Sequence, residues 1–192
     1  MLHRIPLVTP HAPLHPTLNR LLTESDLLRD ALHDLAAYPD VTSQAVCRRA
    51  RLIGMAGEAL VDSILLRHGL LPSPLPDGAS ADRMIPLARR SLRLQIKTRT
   101  RASARGFAFR MQKGYRGSPG GCRAYDADDF DIAALVALPL NIVRFTAERG
   151  PSLFLSLKDV ASLRLDPLAS LDRALADLLA NERASAEPDL VL

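Results

Sequence analysis

Four side chains of this sequence, Glu58, Asp82, Gln95 and Lys97, are of the types needed to act on a phosphodiester. Two carboxylates and an amide oxygen are hard donors suited to a divalent cation, Mg2+ or Mn2+, and an ammonium beside them can orient a water or meet charge developing on phosphate. Gln95 and Lys97 fall in Ser91–Thr100, SLRLQIKTRT, where Leu92, Leu94 and Ile96 alternate with Arg93, Gln95 and Lys97 at the period of a strand. The amide and the ammonium therefore share one face, about 7 Å apart along the strand.

The elements around them have to bring the acids to that face. Asp82 lies in the short apolar run ADRMIPL, and Ala88-Arg89-Arg90 is short enough to turn a hairpin into Ser91, so Asp82 on one strand can meet Gln95 and Lys97 on the next. Upstream, Thr42 or Ser43 caps a helix running to about His68 and stopping at Gly69. Steps of 100° put Ile53, Gly57, Leu60, Val61 and Ile64 on one stripe, with Glu58 at its rim and Asp62 farther round toward solvent. Gly54 and Gly57 leave a bare patch by which this helix can approach a sheet and carry Glu58 toward Asp82 and Lys97. Asp77, in Pro76-Asp77-Gly78, reads as a turn residue and is the substitute if Asp82 points elsewhere.

This order of helix with Glu58, strand with Asp82, strand with Gln95-Ile96-Lys97 and a further apolar strand after Asp131 resembles the PD-(D/E)xK nuclease superfamily. The likeness is to its small Holliday-junction-resolvase-like and intron-endonuclease-like members, over Arg48 to Ala147. The resemblance implies an α/β fold: a restriction-endonuclease-like core with a mixed central sheet flanked by helices, an extended N-terminal arm and a C-terminal helix. It implies an endonuclease in which Glu58, Asp82 and Gln95, with the Ile96 carbonyl, hold Mg2+ or Mn2+, while Lys97 acts on the water or the phosphate. Asp131 matches an acid often found before the next strand, and some relatives work on DNA as homodimers. Ala81 stands where the family has proline and Gln95 where it has an acid, which motivates the alternative of a nucleic-acid-binding module that does not cut. A third reading is an interaction subunit of a larger complex, using the N-terminal arm and two leucine-rich helices.

The charge pattern points to a polyanion. The formal net charge is +4, yet no Asp or Glu occurs from Arg83 to Arg123, and Arg93, Arg99, Arg101, Arg105, Lys113 and Arg116 are the candidate nucleic-acid contacts there. Aromatic residues are only 4% with no Trp, which argues against stacking platforms for exposed bases. Cys47 and Cys122 stand far apart without a metal-binding spacing, so a reduced, cytoplasmic setting is expected. The N-terminus lacks the continuous apolar length of a signal peptide, and no run is long enough for a membrane span.

The expected organisation is an arm and short helix over 1–40, an α/β domain over 41–182 and a tail over 183–192. Prolines in residues 1–22 block regular structure, and His3, His11 and His15 there are read as incidental. A helix starting at Thr23 is expected up to Tyr38. Gly106–Met111 reads as a strand, Gly114–Gly121 as a basic glycine-rich loop, and Phe130–Leu138 as a central strand buried on both faces. Asn141–Thr146 and Ser152–Leu157 are further strands, and Pro167–Asn181 a final amphipathic helix. Asp126, Asp128 and Asp129 either balance the basic segment or supply a turn.

Overall fold

The computed structural model describes residues 26–88, 90–114, 117 and 120–186. The N-terminal arm with its three histidines, the helix start at Thr23, Arg89, Arg116 and residues 187–192 lie outside the described residues. The chain divides into two compact units, Met1–Ile53 and Gly54–Leu192, the division falling inside a helix.

In the first unit, α1 spans Asp26–Leu35 and α2 spans Ser43–Arg48. Thr42 is the cap: its hydroxyl accepts from Ala45 N at 3.1 Å. The expected continuous helix is interrupted at Arg49, and α3 begins afresh at Ala50 and runs to Arg67. Asp34 binds both Arg48 and Arg49, at 2.9 and 2.8 Å, which fixes the chain around that break.

The second unit opens with α3, which ends as expected at Gly69. Leu70 N donates to Leu65 O at 3.0 Å and Gly69 N to Leu66 O at 3.1 Å, with Gly69 at φ 77°, a left-handed cap that favours glycine. Five strands then build one mixed sheet in the order β1-β2-β3-β7-β8, namely Ser73–Pro74, Arg83–Pro86, Ser91–Arg99, Ile132–Ala137 and Ile142–Thr146. The hairpin expected from Ala88-Arg89-Arg90 is β2–β3, antiparallel with Arg83 opposite Leu94. β3 pairs parallel with β7, and all six residues of β7 are buried, as a central strand requires.

The excursion between β3 and β7 forms β4 (Gly106–Arg110), β5 (Gln112–Lys113) and β6 (Arg123–Ala124). β5 pairs with β6, whereas β4 pairs with β9 (Ser152–Ser156) in a separate two-stranded sheet. A helix the sequence reading left out, α4 (Leu157–Leu165), follows β9 behind a reciprocal cap between Ser156 and Asp159, so Leu157 begins a helix rather than closing a strand. α5 covers Ala169–Ala186, running past Asn181.

The sheet separates two cores. On one side Leu92, Leu94 and Ile96 pack with Val61, Ile64 and Leu65 of α3 and Leu171 and Ala174 of α5. On the other, Ala133 and Leu135 pack with Phe107, Phe109 and Leu155 of the small sheet and with Val160 and Leu163 of α4. The alternation in β3 thus sends its leucines to the helices and Gln95 and Lys97 to the opposite face.

The two glycines of α3 are not equivalent. A Cβ on Gly57 would lie 1.9 Å from Thr98 Oγ1, whereas one on Gly54 would meet nothing within 4 Å. Only Gly57 sets the close approach of α3 to β3, so just half of the expected paired bare patch is used. Gly57→Ala should destabilise the protein by about 1–3 kcal/mol through overpacking. Gly54→Ala should be neutral or stabilising by up to about 1 kcal/mol, since alanine is the better helix former. Urea unfolding of both variants decides it, and equal effects would contradict the assignment.

Candidate active site

Asp82 sits at the entry to β2, with its backbone N bonded to Leu94 O at 2.9 Å. Its Oδ2 accepts from Gln95 Nε2 at 2.5 Å and from the Ile96 backbone N at 2.6 Å. Gln95 Nε2 also donates to Ile96 O at 3.1 Å. A side-chain N–H group therefore stands between a carboxylate oxygen and a peptide carbonyl. Gln95 is buried, 5% exposed, so water does not compete for these contacts. Burial pushes the Asp82 carboxyl above its ordinary value; the Ile96 N–H opposes this and the charge of Glu58 adds to it. The sign follows: Asp82's contribution to stability is greatest below the ordinary carboxylate pKa and is lost as pH rises through its raised value.

Lys97 follows on the same face. Its Nζ donates to Gln112 O at 3.0 Å and to Tyr125 Oη at 2.7 Å, and lies 4.9 Å from the Tyr125 ring centroid. Burial lowers its pKa, with the Asp82 charge acting the other way. Burial and the charges of Asp82 and Asp129 push the Tyr125 phenol up, so its hydroxyl stays protonated.

Glu58 is on α3 at the rim of its buried face, as the periodicity required, but its carboxylate is bound to Arg83 at 3.0 Å. Asp62 does not point to solvent. Arg83, only 9% exposed, reaches across to it with Nε to Oδ1 and Nη2 to Oδ2, both at 2.9 Å, and Nη1 donates to the Asp82 carbonyl at 2.9 Å. The helical angle alone was misleading because an arginine stem spans the gap from the strand. Asp77 stays in an exposed turn, with Ala79 N on Pro76 O at 3.1 Å. Asp131 is buried and accepts from Arg93 N at 2.7 Å and from the Arg93 and Arg90 side chains at 3.2 and 3.3 Å.

The candidate nucleic-acid contacts divide. Arg93 is engaged by Asp131 and the Asp128 carbonyl, and Lys113 by Asp126 and Asp129 at 2.9 and 2.6 Å. Asp126 N also donates to Asp129 Oδ2 at 2.6 Å, so these acids both balance the basic segment and make a turn. Arg99, Arg101 and Arg105 are exposed, Arg99 donating to Ala108 O at 2.8 Å.

No group of three or more His, Cys, Asp or Glu side chains able to hold a metal occurs among the described residues. A Mg2+ site does not need one, because this ion keeps several waters and is held by one or two carboxylates with substrate phosphate. Asp82, the Ile96 carbonyl and Gln95, whose amide presents its oxygen once turned over, fit that demand. Tyr125, Gln112 and Arg83 are site residues the sequence reading missed. Arg83 was signalled by its place beside Asp82 on the alternate face of β2; Tyr125 and Gln112 carried no local signal.

The mixed central sheet flanked by helices is a nuclease-like α/β core. Among solved structures, the chain is similar to that of a bacterial homing endonuclease, I-Ssp6803I, with a TM-score of 0.50 and 18% identity, covering 72% of this chain and 98% of that one. At this identity the likeness is one of fold. No protein-family model and no curated protein matches the chain. No helix among the described residues is long and apolar enough to cross a membrane.

Proposed function

We propose that this protein is a metal-dependent endonuclease of the PD-(D/E)xK kind acting on DNA. The observation that carries the reading is the convergence of Asp82 Oδ2, the Gln95 amide and the Ile96 peptide on one point, with the Lys97 ammonium on the same face. Asp82, Gln95 and the Ile96 carbonyl would hold Mg2+ or Mn2+, which supplies polarisation of the phosphate and a more acidic water. Lys97, with two of its three N–H groups committed to Gln112 and Tyr125, directs the third at the attacking water or at charge gathering on the phosphate. Glu58 tunes the field at Asp82 through its charge and is itself held by Arg83. The exposed arginines after β3 neutralise backbone phosphates. The endonuclease title of the similar structure supports the substrate class. Two copies on a duplex would account for cutting both strands.

One observation favours the non-cutting alternative, a DNA-binding module on the same fold: Glu58 is already paired with Arg83. A single set of measurements separates the two. Mg2+ should raise the melting temperature at neutral pH and support cleavage of labelled DNA, and chelation should abolish both. Because Asp82 must be ionised to hold the cation and its pKa is raised, the Mg2+ shift should fade on acidification at a higher pH than the ordinary carboxylate value of about 3.9. Asp82→Asn should remove the shift altogether. DNA binding without any Mg2+ shift or cleavage would decide for the binding module.

A further inference from the structure

The two acceptors on Lys97 come from one small structure. Gln112 opens β5 and Tyr125 directly follows β6, so both stand at the base of the β5–β6 hairpin. The hairpin is closed there by Lys113, which bridges Asp126 and Asp129. Asp129 is tied in turn to the segment that leads into Asp82, through Ser80 Oγ on its carbonyl at 2.9 Å. The Tyr125 ring is fixed edge-on against Phe130, centroids 5.1 Å apart at 85°, and Phe130 is buried under the Arg149 guanidinium.

A lysine needs such an arrangement more than most side chains do. Its four-carbon stem has many rotamers, and an ammonium is a point charge with no directional fork of its own. Fixing Cα on β3 leaves Nζ free to sweep several ångströms unless other atoms hold it. Here a peptide carbonyl and a phenol hydroxyl hold it from the side away from β3.

We propose that Tyr125 is a positioning residue for Lys97, and that the base of the β5–β6 hairpin fixes the ammonium relative to Asp82. The proposal rests on the reading of Lys97 given above and deepens it. Tyr125 acts through Lys97, and its hydroxyl is the part that matters.

The test uses the full chain with 15N-labelled lysine. The sequence holds only three lysines, Lys97, Lys113 and Lys158, so each ammonium signal can be assigned with Lys97→Arg and Lys113→Arg as references. In Tyr125→Phe, hydrogen exchange at the Lys97 ammonium should become about tenfold faster, as for one lost hydrogen bond to a charged donor, with Lys158 unchanged. The cleavage kcat should fall between about 10- and 100-fold with KM within about twofold, the signature of a misplaced group rather than of weaker binding. Asp129→Asn, which loosens the hairpin without touching Lys97, should move the same ammonium signal in the same direction and serves if Tyr125→Phe does not fold. An unaltered Lys97 signal in a folded variant would overturn the proposal. A native protein that cuts no DNA would sink the nuclease reading alone, because the lysine signal decides the positioning on its own.

Discussion

On the proposed endonuclease reading, Lys97→Met should abolish DNA cleavage while leaving the fold and DNA affinity nearly unchanged. The expected loss is about 10³-fold in single-turnover rate, the upper end for removing one preorganised donor from a developing charge. Lys97 sits in a half-buried place, where a charge acts through a lower effective dielectric than in water. Methionine nearly matches the stem, so the packing beside Leu135, its register partner on β7, is kept. Removing a desolvated ammonium relieves a cost, while Gln112 O and Tyr125 Oη lose a donor; these oppose each other, so the melting temperature should move little. DNA affinity should hold because, on the proposed reading, phosphate contacts come from the exposed arginines, and its salt dependence should match the native slope. Cleavage within tenfold of native would remove Lys97 from the mechanism.

The largest loss of stability belongs to Arg83→Met, which should lower the free energy of unfolding by about 3 kcal/mol, the lower end for breaking a buried ion pair. The Arg83 side chain is only 11% exposed, while Glu58 and Asp62 are 33% and 27% exposed. The partial exposure of the acids holds the expectation at that lower end. Without the guanidinium, two carboxylates of α3 face β2 with no counter-charge and the Asp82 carbonyl loses a donor. Lysine cannot replace it, because a point charge does not reproduce the fork on Asp62. Neutralising both acids in the Arg83→Met background, with Glu58→Gln and Asp62→Asn, should recover most of the loss. Urea denaturation measures both steps, and a loss below about 1 kcal/mol would mean that solvent already screens the cluster.

Much of this site could be read from the sequence because it is local. Asp82, Gln95 and Ile96 meet through one hairpin, whose length and alternation are written in consecutive residues. The buried run from Ile132 to Ala137 likewise declares a central strand. What could not be read depends on long side chains or distant pairing. Asp62 lies at a solvent-facing helical angle, and only the reach of Arg83 draws it in. Tyr125 stands in a polar stretch, YDADDF, and its partner Lys97 belongs to another strand, so no periodicity marks it. The helix after Ser156 was signalled by Ser156 and Asp159 at capping spacing, but the apolar strand run before it obscured where one element gave way to the next. Which of Gly54 and Gly57 meets the sheet depends on how α3 is rolled on β3, which the helix sequence alone does not contain.

The two lysines of the central region are both bound inward, Lys97 at the site and Lys113 on its carboxylates, whereas Arg99, Arg101, Arg105, Arg110 and Arg123 are exposed. A guanidinium keeps its proton throughout the range in which proteins live, whereas burial lowers the pKa of the Lys97 ammonium and raises that of the Asp82 carboxyl. On the proposed reading, grip and cut are thereby placed under separate controls. On that same reading, acidification would discharge the Asp82 carboxylate while the exposed guanidiniums stay charged, so the hold on a polyanion would answer to salt.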